Sequence, residues 1–245
     1  MYISFIIPCF NCSKIIKSSI LKLKNKLKNY KKIKYELIFI DDGSNDDTSR
    51  IIKKFTSKNI KLIKNNKNLG KSASLIKGIN IAKNQRIVLI DCDLPYFKYL
   101  NTILEKLKSE NFIYVNRKSQ NSKLVNKNLN LYQISRFFIG RLVCFVLNMV
   151  LLNSSIGDTQ AGLKAFIKPK NFKKIKFISK KFFLDAELMI LFNRSKIKMF
   201  SIPVNYKIYN NSSIKILAFE NFLYLFELLK LIIFYNFKKI DIIKK

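Results

Sequence analysis

The apolar positions of this 245-residue chain fall into short runs that alternate with segments of helical period. Residues 2–7 form an apolar run closed by Pro8, the length and texture of a buried strand. Residues 13–28 alternate apolar and lysine positions at helical spacing. Runs at 35–40, 60–63, 86–90 and 112–115 read as further strands, and 48–55, 71–82 and 97–107 as helices, with Leu75, Ile76 and Ile79 on one side of the second. Strands alternating with helices imply βαβ units, and hence an α/β fold with a mostly parallel sheet flanked by helices.

Past Arg117 the pattern changes. Residues 118–130 are polar and read as a mobile loop. Residues 131–152 are strongly apolar but interrupted by Arg136, Gly140, Arg141 and Asn148, and a second apolar stretch, 214–237, carries Lys215, Glu220, Glu227 and Lys230. Each is long enough to span a bilayer. Each internal charge at mid-membrane costs at least ~2.5 kcal/mol, which argues against spanning. Helices lying in the interface, apolar side down, fit the pattern better; ordinary core helices are the alternative. The organisation expected is one domain over 1–212 and an amphipathic, membrane-associated helix over 213–245. The apolar run at the N-terminus stops too early for a signal peptide.

Charge narrows the partners. The net charge is +32, nearly all of it lysine, with six arginines. Such a surface is drawn to anions: headgroups, lipid phosphates, nucleotide sugars or nucleic acid. The chain has no histidine, which removes Ser-His-Asp and Cys-His schemes. Proton transfer falls to Asp or Glu, with Lys, Tyr or Cys as poorer candidates. Cys9 and Cys12 form a lone CxxC, and with Cys92 and Cys144 they read as reduced thiols rather than a zinc site.

The carboxylates cluster where such folds bind ligands, at the carboxyl ends of strands. Asp91-Cys92-Asp93 follows the strand at 86–90 and can face one divalent cation, Mg2+ or Mn2+, which prefers oxygen ligands and grips a diphosphate. Asp41 and Asp42 follow the strand at 35–40 and are assigned to binding a base or ribose; Asp46 and Asp47 are assigned mainly to capping the next helix. Gly70 lets the backbone approach a ligand, and Lys71 at a helix start can pair with a phosphate. Asp158, between Gly157 and Gly162, is a candidate general base, with Lys164 beyond it to hold a phosphate oxygen. Asp185 and Glu187 open a helix in apolar surroundings, where capping and dipole pairing suffice to explain them.

Taken in order, these segments resemble family 2 glycosyltransferases, and within them the polyprenyl- and dolichyl-phosphate sugar synthases. The opening Ile6-Ile7-Pro8-Cys9-Phe10-Asn11 resembles that family's first strand and turn. Phe39-Ile40-Asp41-Asp42-Gly43-Ser44 is similar to its base-binding segment, and Asn68-Leu69-Gly70-Lys71 and the DxD follow in the family's order. The stretch from Gly157-Asp158-Thr159-Gln160 to Phe166 resembles the dolichyl-phosphate β-glucosyltransferase branch, as do 182–188, Ile202-Pro203-Val204 and the turn at Ser212-Ser213.

The resemblance implies a GT-A fold, metal-dependent inverting transfer, and UDP-glucose or GDP-mannose as donor to a polyprenyl or dolichyl phosphate. It places Pro8, Phe10, Asn11, Asp41, Asp42, Gly70, Lys71 and Asp91 around the donor, with Asp91 and Asp93 at the metal. Arg117, with Arg136 as a second candidate, falls near the acceptor phosphate, and Asp158 becomes the central acid of the acceptor side. The location implied is the cytoplasmic face of a membrane, peripheral or monotopic, with no nucleic-acid partner. Two positions depart from the family: Cys12 where Glu is frequent, and Pro95 where Gln is frequent. The alternatives are an enzyme of the same family with a saccharide acceptor, and a basic non-enzymatic module binding nucleic acid or membrane.

Overall fold

A computed structural model describes residues 1–126, 128–149, 156–208 and 220–237; side chains at 136 and 220–222 are not among those described. The serine pair at 212–213, the start of the second apolar stretch and the expected boundary at 212/213 lie outside these residues.

The strands are β1 (Tyr2–Cys9), β2 (Lys34–Asp41), β3 (Ile60–Lys64), β4 (Arg86–Ile90), β5 (Phe112–Asn116), β6 (Lys123–Leu124), β7 (Leu163–Ile167), β8 (Met199–Pro203) and β9 (Asn205–Tyr206). The α-helices are α1 (Ser13–Lys28), α2 (Thr48–Lys53), α3 (Lys71–Ile81), α4 (Leu100–Lys106), α5 (Leu131–Leu147), α6 (Leu184–Arg194) and α7 (Glu220–Phe237). Seven strands form one sheet in the order β3-β2-β1-β4-β7-β5-β8. The expected parallel pairing holds for β3-β2-β1-β4 and for β5-β8. β7 runs antiparallel to both neighbours, β4 and β5.

Both faces of the sheet are covered, which is why its strands read as continuous apolar runs rather than alternating ones. On one face, Ile16, Ile20, Leu23 and Leu27 of α1 pack on Phe5, Ile7 and Phe39. On the other, Leu75 and Ile79 of α3 and Leu188 and Phe192 of α6 pack on Ile6, Ile38, Phe112 and Phe166. β1 continues through Pro8 to Cys9. Its pairing with β4 stops at Ile6, so a residue without an N–H at position 8 breaks no bond on that side.

Two segments differ from the sequence reading. The loop over 118–130 contains β6, which pairs with β9 in a small second sheet. The helix from 97 opens as a 3-10 turn, Phe97–Tyr99, before α4. Within the two long apolar segments the described residues form α5 and α7, as read, and no helix among the described residues is long and apolar enough to cross a membrane.

α5 and α7 are two-sided. Leu147 of α5, Ala186 and Ile190 of α6, and Leu228, Leu231 and Tyr235 of α7 form a third buried cluster. α7 is therefore packed into the body of the protein. Outward, Phe138, Leu142 and Phe145 of α5 and Leu225, Phe226 and Ile233 of α7 are each more than half exposed.

Candidate active site

The parallel strands β1, β2 and β4 end along one edge, and the candidate residues collect in the loops beyond them. The first loop ties itself to the second. Asn11 adopts a positive φ of 47°, its N–H donates to Ser44 Oγ at 2.9 Å, and its Oδ1 accepts from the Asn45 N–H at 3.0 Å. Phe10 beside it is 42% exposed. Pro8 is only partly covered.

Asp41 and Asp42 are both buried, and their carboxylates have internal partners. Asp41 accepts from the Ser44 N–H at 3.0 Å and from the Ser49 hydroxyl. Asp42 accepts from Asn65 Nδ2 at 2.8 Å and from the N–H groups of Leu69 and Gly70 at 3.0 and 2.8 Å. Their visible work is to shape the loops over 42–49 and 65–70. Asp46 takes the capping role expected of it, accepting from the N–H groups of both Thr48 and Ser13 at 3.0 Å. Desolvation opposes its ionisation, yet these bonds and the Thr48 hydroxyl hold it down at about 2. Asp47 instead forms an exposed pair with Arg50.

Asp91 and Asp93 follow the end of β4, and Asp93 is exposed. The Asp91 side chain is 31% exposed. A Cβ at position 162 would lie 1.9 Å from Asp91 Oδ2, so a side chain there displaces the Asp91 carboxylate. Withheld hydration and the adjacent Asp91 charge push the Asp93 carboxyl above its ordinary range. Two carboxylates that repel one another in this way suit a cation between them. Among the described residues no group of three or more His, Cys, Asp or Glu side chains forms a closed metal cage. A DxD completed by phosphate oxygens and water matches how Mg2+ is usually held.

Lys71 Nζ lies 2.7 Å from Asp91 and 3.4 Å from Asp185. Burial works against its charge, but these two acids raise its pKa. Asp185, the acid read from sequence as a cap, pairs in turn with Lys164 Nζ at 2.9 Å. The result is a line of alternating charge, Asp91–Lys71–Asp185–Lys164. Lys164 is fully buried and also donates to the Ala161 carbonyl at 2.6 Å. It cannot hold an acceptor phosphate as expected; it supports the line from beneath. The start of α3 is not an open phosphate site either. The Ser72 and Ala73 N–H groups donate to the carbonyls of Lys181 and Lys180 at 3.1 and 2.9 Å.

Asp158 is also fully buried. It receives Arg117 Nε at 2.5 Å and Nη2 at 2.8 Å, with the backbone N–H groups of Arg117 and Gln160 at 3.2 and 3.1 Å. Burial alone would raise its pKa; the guanidinium outweighs it and holds Asp158 at about 2. A carboxylate so placed is a poor proton acceptor at neutral pH, which corrects its reading as a general base. It fixes the fork of Arg117, whose side chain remains 31% exposed. α5 steadies the same loop: Asn148 exchanges hydrogen bonds with Gly157, and Cys144 Sγ lies 3.4 Å from the Thr159 hydroxyl. Arg136 lies on this helix, its side chain outside those described.

The loop over 156–162 joins the two halves of the site, since the Gly162 carbonyl accepts from the Asp91 N–H at 3.2 Å. Tyr96 lies between them. Burial pushes its hydroxyl up to about 12, and Arg117, Asp158 and Asp91 are all near enough to act on it. Beside it opens a cavity of about 250 Å3, lined among others by Lys98, Tyr206 and Lys207. Gln160, not singled out from sequence, has both ends of its side-chain amide buried without a partner among the described residues. All four cysteines are free.

An α/β sheet with acidic strand ends, a DxD and an arginine facing it across a glycine-bounded loop defines a GT-A-like glycosyltransferase. The solved structures agree on the fold: glucosyl-3-phosphoglycerate synthase from Mycobacterium tuberculosis, in complex with Mn2+, UDP-glucose and phosphoglyceric acid, superposes with a TM-score of 0.67 at 16% identity, covering 94% of this chain and 79% of that one. Residues 4–168 match glycosyl transferase family 2, and the chain belongs to that family. It is 25% identical to the dolichyl-phosphate beta-glucosyltransferase ALG5D of Trichomonas vaginalis over 96% of its length and 74% of that protein's. It is 26% identical to the dolichyl-phosphate beta-glucosyltransferase of Dictyostelium discoideum over 84% of its length and 66% of that protein's. An uncharacterised protein of Methanocaldococcus jannaschii, MJ0544, is 33% identical over 70% of this chain. Family membership makes the chain an enzyme and removes the non-enzymatic alternative.

Proposed function

We propose that this glycosyltransferase moves glucose from UDP-glucose to a polyprenyl phosphate of the dolichyl type, with inversion, at a membrane surface. The observation that carries the reading is the placement of the Asp91/Asp93 pair and Lys71 on one side of the 156–162 loop and Arg117, locked by Asp158, on the other. The relatives named dolichyl-phosphate beta-glucosyltransferase cover nearly the whole chain, and the superposed synthase was solved with Mn2+ and UDP-glucose. Both support the choice of donor over GDP-mannose.

In this scheme Asp91 and Asp93 would hold a divalent cation, Mg2+ or Mn2+, which would supply positive charge against the diphosphate leaving group. Lys71 adds a second positive charge against the same diphosphate, exchanging part of its bond to Asp91 for phosphate oxygens. Phe10 offers a stacking face for the base. Arg117, whose Nε and Nη2 already donate to Asp158, turns its remaining Nη1/Nη2 edge to the acceptor phosphate, a charge-assisted contact. That phosphate is ionised at neutral pH and needs no deprotonation, so fixed charges rather than a general base lower the barrier. The outward apolar faces of α5 and α7, on a chain of net charge +32, suit an anionic bilayer surface from which a lipid acceptor is drawn.

The test is transfer in detergent: UDP-glucose labelled in the sugar, Mn2+ and polyprenyl phosphate, with label counted in the organic phase. Chelator-sensitive labelled lipid is expected. Label that enters a soluble saccharide but never the lipid contradicts the acceptor assignment.

A further inference from the structure

Five successive backbone N–H groups, those of residues 178–182, donate to two glutamates that sequence reading left outside the site. Glu187 of α6 accepts from Ile178 and Ser179, both at 2.8 Å. Glu227 of α7 accepts from Lys180, from Lys181 at 2.7 Å and from Phe182 at 2.9 Å. Tyr235 of α7 also donates its hydroxyl to Glu187 at 2.8 Å. Both glutamates are buried, and hydrogen bonds to a charged acceptor are about twice as strong as neutral ones. The segment is a strap held from one side by two carboxylates.

The other side of the strap faces the site. Its carbonyls at Lys181 and Lys180 accept from the Ser72 and Ala73 N–H groups in the first turn of α3, doing what a side-chain cap does elsewhere. Gly70, at a φ of 106°, lets the two segments meet, since a Cβ there would come 2.6 Å from Lys181 Cα. The Ser72 hydroxyl accepts from the Leu184 N–H at 3.0 Å. Lys71 lies within this joint, and its ammonium reaches Asp91 of the DxD.

We propose that Glu227 is a positioning residue for the donor site: from α7 it fixes the 180–182 strap, the strap fixes the first turn of α3, and that turn aims Lys71 at Asp91. The proposal rests on the reading of Lys71 and Asp91 as the donor-side groups. It makes α7 a working part of the catalytic unit as well as an outward apolar surface.

The test compares Glu227→Gln with Leu228→Ala, which loosens the apolar cluster that α7 shares with Ile178 and Phe182 but leaves all five strap N–H bonds to the two glutamates in place. Hydrogen exchange on the ligand-free protein comes first. In Glu227→Gln the amides of 180–182, Ser72 and Ala73 are expected to exchange about tenfold faster or more, the scale of one lost bond to a charged acceptor, while α7 keeps its own protection. Titration of UDP in the presence of Mn2+ is expected to show an affinity about tenfold weaker, with the KM for polyprenyl phosphate unchanged. Leu228→Ala lowers Tm and leaves UDP affinity near wild type. Wild-type exchange at Ser72 and Ala73 in Glu227→Gln, or a loss of UDP affinity no larger than in Leu228→Ala, overturns the proposal. The exchange arm needs no ligand, so failure of the wild-type protein to bind UDP with Mn2+ counts against the donor-site reading separately.

Discussion

Asp158→Asn separates a positioning acid from a catalytic base. The substitution keeps the shape of a fully buried side chain and removes the charge that balances Arg117. Asp158 falls from an ordinary 3.8 to about 2 in the folded protein; at about 1.36 kcal/mol per tenfold change, the folded environment favours its charged form by about 2 kcal/mol. Breaking a buried pair from one side costs more than the pair's net worth, on the order of 3–5 kcal/mol when the remaining charge is fully buried. Arg117 is 31% exposed, so a loss of about 2–3 kcal/mol is expected for Asp158→Asn in urea unfolding at pH 7. Because the folded pKa is depressed, the stabilisation is present above about pH 4 and is lost as pH falls towards 2. The gap between wild type and variant should therefore close over that acid window. Activity should fall through a higher KM for the lipid phosphate, with no acidic limb near pH 5–7 in the wild-type rate profile assignable to this group. A variant as stable as wild type, with a lost ionisation in that profile and an unchanged acceptor KM, would refute the positioning role.

Gly162→Ala puts a methyl where Asp91 Oδ2 stands; the fold should survive while Mn2+ and UDP binding weaken by an order of magnitude or more, read by titration calorimetry. Lys164→Met leaves Asp185 with Lys71 alone, at 3.4 Å, and should cost about 3 kcal/mol in denaturant unfolding, whereas a surface phosphate-binding lysine would cost almost nothing. Phe138→Glu with Phe226→Glu, on the outer faces of α5 and α7, should sharply reduce sedimentation with anionic phospholipid vesicles at an unchanged Tm; unchanged binding would remove these faces from the membrane contact.

The architecture was largely legible because buried parallel strands and the helices between them carry strong, regular apolar signals. α1 begins at Ser13 and ends at Lys28 as its lysine-apolar spacing indicates, and β4 spans Arg86–Ile90 as read. β7 was not found, because Leu163–Ile167 contains Lys164, and a lysine in a central strand looks like a surface position until Asp185 is seen against it. The same long-range pairing explains the site. Asp91, Asp93 and Lys71 were visible as residue types at strand ends and loop mouths, whereas Arg117 came only from the family resemblance. The functions of Asp42, Asp158 and Lys164 depend on partners 27, 41 and 21 residues away, which no local spacing encodes. Asp185, Glu187 and Glu227 carried one usable signal: each is an acid in an apolar setting on a chain with fifteen acidic residues.

The decisive measurement on glucosyl transfer to a lipid phosphate runs wild type and Asp91→Asn side by side with polyprenyl phosphate, Mn2+ and sugar-labelled UDP-glucose or GDP-mannose in separate tubes, with folding of both proteins checked by circular dichroism. Labelled lipid is expected from wild type with UDP-glucose, abolished by chelator, with a loss of at least about two orders of magnitude in Asp91→Asn. Labelled lipid formed at a comparable rate by Asp91→Asn, or no labelled lipid from folded wild type with either donor, would contradict the proposed function.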